Sequence, residues 1–203
     1  MGFQKRILAC LLAGSLCLGM ALLSAKAEQQ ALSDKLIRLH VIAESDSQED
    51  QGMKLLVRDA VLAALPAEGW QSRSQAEEEL HSLLPELCLA AKKVMRENGR
   101  DCSITAELTM EQYPTRQYDG FALPAGEYLS LKIVLGEGEG KNWWCVVYPS
   151  FCLSGPTAEV AASAGFTAGE LTLITEDTAA VRVKFRLLEL LRSVRLFGEN
   201  RKR

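Results

Sequence analysis

Apolar and polar residues along this chain repeat with two different periods, and the switch between them marks its elements. Leu36 to Ala43 (LIRLHVIA) is rich in branched apolar residues and predicts a strand. Ile37, Leu39, Val41 and Ala43 fall on one face, and Leu36, Arg38, His40 and Ile42 on the other. After the polar loop Glu44-Ser45-Asp46-Ser47 the spacing becomes three and four. Met53, Leu56, Val57, Ala60, Val61 and Ala64 form the buried stripe of a helix from Gln48 to Leu65, ended by Pro66. Asp50, Lys54 and Arg58 are expected on its opposite side, where i, i+4 charges pair weakly. Ser74 with Glu77 reads as a capping box opening a second helix, which carries Ala76, Leu80, Leu83, Leu87, Ala90 and Val94. That helix stops at Asn98-Gly99, and Pro85 inside it predicts a kink or a division into two.

From Cys102 the period returns to two: Cys102, Ile104, Ala106, Leu108 and Met110 alternate with polar residues, as in a half-buried strand. A loop follows, and then strands over Tyr128–Leu135 and Trp143–Tyr148, joined by a turn at Gly136-Glu-Gly-Glu-Gly140. Residues 154–180 are small and polar, and predict a flexible connection. Residues 181–203 are expected to form a basic amphipathic helix, with Leu187, Leu190, Leu191, Val194 and Phe197 on one side. The order β-α-α-β-β-β-α predicts an α+β fold of two layers, a mostly antiparallel sheet with helices on one face plus the C-terminal amphipathic helix.

Before all of this stands an apolar run from Ile7 to Leu23, preceded by Lys5-Arg6 and followed by Ala25-Lys26-Ala27. A basic n-region, an apolar h-region and an A-x-A site read as a signal peptide over 1–27, cleaved between Ala27 and Glu28. An uncleaved single-pass anchor is the alternative, since the run is at the short end of a membrane span. The folded domain is then expected over residues 28–153.

Three of the 23 basic residues precede Glu28, and residues 181–203 hold eight basic against two acidic. Residues 28–180 therefore carry 12 basic against 24 acidic residues, a net charge of −12. Such an acidic body offers nothing to nucleic acid, whose binding depends on phosphate neutralisation. The basic tail is suited either to an anionic membrane surface or to simple packing.

Cysteine chemistry narrows the picture further. Cys10 and Cys17 lie in the apolar run; Cys88, Cys102, Cys145 and Cys152 remain in an exported chain, where disulfides persist. Cys145 and Cys152, with Pro149 between them, are close enough for a strand to bend back and bridge them. The spacings match no zinc pattern, and no metal or cofactor is expected. A Cys145–His40 nucleophile pair is conceivable but disfavoured, because Cys145 lies in an apolar strand with a disulfide partner at hand. The glycine run is a turn rather than a phosphate cradle, because a strand follows it and Glu137 and Glu139 repel anions.

Arg38 and His40 share a strand face, either bonded to Asp46 or Asp50 in the next loop or forming a recognition surface. Trp143 and Trp144 must point to opposite faces of their strand, so one of them leaves the core side.

Several stretches together resemble the stage II sporulation protein R family of endospore-forming bacteria. They are Leu36–Ala43 with Ser45-Asp46-Ser47, and Asp50-Gln51 with Lys54-Leu55 and Val57-Arg58-Asp59. Further on come Tyr113-Pro-Thr-Arg116, Leu123-Pro-Ala-Gly-Glu-Tyr128, and Gly136-Glu-Gly with Asn142-Trp-Trp-Cys145, Pro149 and Cys152. The resemblance covers residues 34–153 in order and departs at Glu44, where the family usually has Asn, and at Ser150, where a second Pro is common. It implies a signalling protein rather than an enzyme, made in the forespore and secreted into the space between the forespore and mother-cell membranes. There such proteins are needed to activate a membrane-embedded aspartyl protease, which removes the pro-sequence of the sigma-E precursor. The extracytoplasmic part of that protease is the expected partner, with Arg38, His40, Asp46, Arg58, Arg116, Trp143 and Trp144 as contact candidates. An exported thiol hydrolase acting on cell wall or peptide through Cys145 is the rival reading.

Overall fold

The computed structural model describes residues 2–66, 69–118, 120–154 and 164–175. The expected C-terminal helix over 181–203 lies outside the described residues. The elements in order are α1 (Gly2–Ser33), β1 (Ile37–Ile42), α2 (Gln48–Ala63), α3 (Arg73–Glu97), β2 (Ile104–Tyr113), β3 (Arg116–Tyr118) and β4 (Phe121–Leu123). They continue with β5 (Gly126–Leu135), β6 (Asn142–Tyr148), α4 (Phe151–Ser154) and α5 (Ala168–Thr175).

Four strands form one sheet in the order β2-β5-β1-β6. The outer pairings, β2 with β5 and β1 with β6, are antiparallel, while the central β1–β5 pair is parallel. The fold is therefore α+β with a mixed sheet. Alternation along β1 sorts its residues as expected: Ile37, Leu39 and Val41 enter the core under α2 and α3, and Leu36 enters a second cluster on the other face. The first core joins Met53, Val57 and Val61 of α2, Ala76, Leu80, Leu87, Ala91 and Met95 of α3, and Leu129, Leu131, Ile133 and Leu135 of β5. Burial of this kind stabilises by roughly 25 cal/mol per Å² of apolar surface removed from water.

The second face of the sheet is also covered. Leu32 at the end of α1, the β3–β4 hairpin, Phe151 of α4 and Ile174 of α5 pack with Leu36, Tyr113, Tyr128 and Val146. Two three-residue strands are too short to show a period, which is why the hairpin reads as loop in the sequence. Within the connection expected to be flexible, α5 is capped by Thr167 and Glu170. The Glu170 N–H donates to Thr167 Oγ1 at 3.2 Å, and the Thr167 N–H donates to Glu170 Oε2 at 2.7 Å. This is a capping box that the sequence displays as Thr-x-x-Glu. Lys35 Nζ then ties Glu170 to the end of α1 at 2.7 Å.

Three local expectations change. The second helix starts two residues earlier than Ser74: Ser72 is its N-cap, accepting from the Gln75 N–H at 3.2 Å, while Gln75 Oε1 accepts from the Gln71 N–H. Pro85 sits inside one continuous helix. Asp50 and Lys54, expected on a solvated face, are both buried. The loops at the sheet end close over that side of α2, since Gly140 N–H donates to Ala43 O at 2.9 Å and Lys54 Nζ donates to Lys141 O at 2.9 Å. The Asp50 carboxylate accepts from Ser45 and Arg100, and the Asp50 N–H donates to the capping residue Ser47 at 3.1 Å. The Ser45 bond outweighs burial and holds the Asp50 carboxyl below its usual pKa.

Among the described residues one helix is long and apolar enough to cross a membrane, over Arg6–Ser33. Its leucines at 8, 11, 12, 16, 18 and 23 are exposed. It passes through residues 25–27 without a break, and Ala25, Gln29, Leu32 and Ser33 are buried.

Candidate functional site: the polar face of the sheet

The second sheet face carries charge where a core would normally be apolar. Strand register sets a row across it: Lys132 on β5, His40 on β1 and Trp144 on β6 are direct partners, with Glu107 of β2 opposite Lys132. One row further along stand Ser130 and Arg38. The alternation of β2 continues past Met110 and puts Glu107, Thr109, Glu111 and Tyr113 on this same face.

Arg38 is completely enclosed. Its Nε donates to Cys145 O at 3.0 Å, one terminal nitrogen donates to the Tyr118 hydroxyl, and the other, Nη1, has no hydrogen-bond partner. Its guanidinium carbon lies 4.3, 5.0 and 5.7 Å from the ring centres of Tyr113, Tyr128 and Tyr118. Tyr113 and Tyr128 of the cage come from the stretches Tyr113-Pro-Thr-Arg116 and Leu123-Pro-Ala-Gly-Glu-Tyr128, and Tyr118 from β3. Tyr113 is bonded to Ser130 at 2.7 Å, Tyr128 donates to Pro124 O at 2.8 Å, and Thr115 Oγ1 accepts from the Ala125 N–H. Burial pushes the Tyr113, Tyr118 and Tyr128 hydroxyls above their usual pKa, so they stay neutral around the cation. No carboxylate is bonded to Arg38 among the described residues, so aromatic faces and dipoles take the place of a counter-ion.

His40 is the hinge of the row. Nδ1 lies 3.1 Å from both carboxylate oxygens of Glu111, and Nε2 lies 2.9 Å from the side-chain oxygen of Asn142. Burial raises the Glu111 carboxyl, but hydrogen bonds from His40 and Ser130 and the charges of His40 and Lys132 outweigh it. The net shift is downward, so Glu111 is held as a carboxylate. Lys132 bridges Glu107 at 3.1 Å and Glu111 at 3.8 Å.

The two tryptophans take opposite faces, as strand alternation requires. Each carries an arginine on its ring. Arg116 lies 3.4 Å from the Trp144 ring centre on the polar face, and Arg58 lies 4.3 Å from that of Trp143 on the helix side. The candidate residues thus divide. Arg38, His40, Arg116 and Trp144 come together; Arg58 and Trp143 sit on the other side; and Asp46, at the sheet end, accepts from the Lys141 N–H at 2.8 Å. Arg38 and His40 do not reach Asp46 or Asp50. Their partners come from β2, β6 and the β3–β4 hairpin, which only the tertiary fold brings near. Glu111, Tyr113, Tyr118 and Tyr128 are the members of this site that sequence reasoning missed.

Cys145 and Cys152 form a disulfide with a Cα–Cα distance of 5.7 Å, which fastens α4 to β6 across Pro149. Cys145 therefore presents no thiolate, and a thiol nucleophile at this position is excluded while the bond is intact. Cys88 and Cys102 are free and partly buried. Burial raises the Cys102 thiol above its usual pKa. Among the described residues no three His, Cys, Asp or Glu side chains gather into a metal-binding group.

Residues 33–157 match the protein family described as stage II sporulation protein R. The chain belongs to that family. It is 38% identical over 133 residues to the stage II sporulation protein R of Bacillus subtilis (strain 168), an alignment covering 63% of this chain and 58% of that relative. No solved structure matches the chain. The matched span contains the whole polar face, the disulfide and both tryptophans, and takes in only the last residue of α1.

Proposed function

We propose that this chain is an exported signalling protein of sporulation that activates the membrane-embedded aspartyl protease of the mother cell, the enzyme that processes the sigma-E precursor. In this reading α1 carries the domain out of the forespore, and the domain acts in the space between the two membranes on the extracytoplasmic part of the protease. Family membership is the observation that carries it.

The chemistry of the polar face supports contact rather than turnover. Its acids, imidazole and ammonium are engaged: His40 with Glu111 and the Asn142 amide oxygen, and Lys132 with Glu107 and Glu111. A general base needs a substrate proton within reach. Here the imidazole is buried and both nitrogens are engaged. The disulfide at Cys145 removes the group on which the rival thiol-hydrolase reading depends. Activation by contact requires that the domain bind the active state of the protease more tightly than the inactive one.

Purified protease in membranes, purified sigma-E precursor and this chain test the proposal. Precursor cleavage is expected only when all three are present. Equal cleavage without the chain removes the proposal.

A further inference from the structure

We infer that Arg116, held over the Trp144 ring on the same sheet face as Arg38, is a preformed binding site for a carboxylate side chain on an acidic segment of a partner protein.

Two guanidinium groups are stacked on adjacent tryptophans, one on each sheet face, at 3.4 and 4.3 Å from the ring centres. They differ in how their charge is met. Arg58, over Trp143, is neutralised: its Nε and terminal nitrogen reach Asp59 at 2.8 and 2.7 Å. The Arg116 side chain, over Trp144, makes no hydrogen bond and no ion pair among the described residues, and its Nε is buried without a partner. Arg38, on the same face and within electrostatic reach of Arg116, is fully enclosed and bonds no carboxylate among the described residues, with Nη1 unpartnered. Both cations bear on Tyr118, which accepts a hydrogen bond from Arg38. Among the described residues the face thus gathers two guanidinium groups without a carboxylate partner around Tyr118.

The described acids of this face are already committed. Glu111 serves His40 and Lys132, and Glu107 serves Lys132. A guanidinium held flat by stacking has lost its rotamer freedom before any ligand arrives and offers a planar fork that matches a carboxylate. Arg and Trp are also the residue types that dominate interface energetics.

A phosphate fits the same fork. The source is set by the surroundings: residues 28–180 carry a net charge of −12, and Glu107 is exposed on the same face, so a dense anionic lipid surface is repelled where a single acidic side chain is admitted. Taken with the proposed function, on which this identification of the partner rests, the acidic segment belongs to the extracytoplasmic part of the protease.

The test uses the full chain in detergent micelles, with hexaglutamate as probe and the Trp144 indole N–H resonance as reporter, assigned by Trp144→Phe. A saturable shift of that resonance is expected, and hexalysine at the same ionic strength leaves it in place. Arg116→Gln is expected to weaken the response by about tenfold or more, the scale of losing a charge-assisted bidentate pair. Arg58→Gln is expected to leave it unchanged, and the Trp70 and Trp143 resonances report that each variant is folded. An unmoved Trp144 signal, an equal response in folded Arg116→Gln, or a larger Trp144 shift from phosphatidylglycerol added to the micelles than from hexaglutamate overturns the inference. Precursor processing separates it from the functional reading. Processing stimulated equally by wild type and Arg116→Gln removes the protease as the acidic partner and leaves activation standing. Hexaglutamate binding without any stimulation removes the activation reading and leaves the site.

Discussion

Replacing Arg38 by lysine should harm the protein more than replacing it by methionine, an ordering opposite to the one chemical similarity suggests. Arg38 is fully buried and spans two acceptors at once, Cys145 O at 3.0 Å and the Tyr118 hydroxyl. Lysine keeps the charge in the tyrosine cage but has one ammonium for two diverging acceptors, so one is left unpaired. A buried unpaired acceptor costs roughly 1–3 kcal/mol. The ammonium is also more strongly hydrated than a guanidinium and stacks less well on aromatic faces. Together these predict a loss of about 3 kcal/mol for Arg38→Lys. Methionine loses both bonds and the cation–π contacts, but it removes a buried charge whose desolvation costs several kcal/mol, so the deficit should be about 1 kcal/mol. The two variants also differ in pH dependence. Burial lowers a lysine pKa, so between the folded-state value and the unfolded value near 10.4 the unfolded chain holds more protons, and stability rises with pH. Urea unfolding followed by tryptophan fluorescence over roughly pH 7 to 9 should show the Arg38→Lys deficit shrinking as pH rises, with no such trend for Arg38→Met. A lysine variant as stable as the methionine variant at pH 7, or one without the slope, refutes the caged-cation account.

Four other outcomes follow from the same structure. The Glu111 carboxyl has a lowered pKa, so its stabilisation is present above the ordinary value of 4.5 and lost as pH falls through the folded-state value; the urea-midpoint gap between wild type and Glu111→Gln should be wide at neutral pH and close in acid, and a gap independent of pH contradicts this. A Cβ at Gly140 lands on the Ser45 carbonyl and within 2.9 Å of Ala43 Cβ, so Gly140→Ala should cost roughly 1–3 kcal/mol by overpacking, and an unshifted midpoint refutes the close approach of these loops. The Cys145–Cys152 bond closes a loop of sequence separation 7, so Cys145→Ser/Cys152→Ser should lose about 2.5 kcal/mol on the chain-entropy relation. Thiol titration of the denatured, unreduced full chain should find only the four free cysteines of the six.

What could be read from the sequence was whatever depends on neighbours along the chain. The alternation of β1 assigned Ile37, Leu39 and Val41 to one core and Arg38 and His40 to the other face. Adjacent placement on β6 split Trp143 from Trp144, and the short spacing around Pro149 suggested the disulfide. What could not be read was set by contacts between distant segments. Glu111 is 71 residues from His40, and Tyr118 is 80 from Arg38, so nothing local announces either bond. Asp50 and Lys54 look like solvent-facing charges on a helical wheel, yet the loop containing Gly140 covers them. Two signals were present and unused. The alternation of β2 continues through Glu111 to Tyr113, and Thr167-x-x-Glu170 marks the start of α5.

The central claim is that this domain acts on its partner by reversible contact. Precursor cleavage by the membrane-embedded protease, titrated against the full chain and repeated after washing the chain away, tests that directly. The account predicts a rate that saturates with chain concentration and falls back to the starting level after washing. A protease that stays active once the chain is gone, or that is covalently altered by it, contradicts the account.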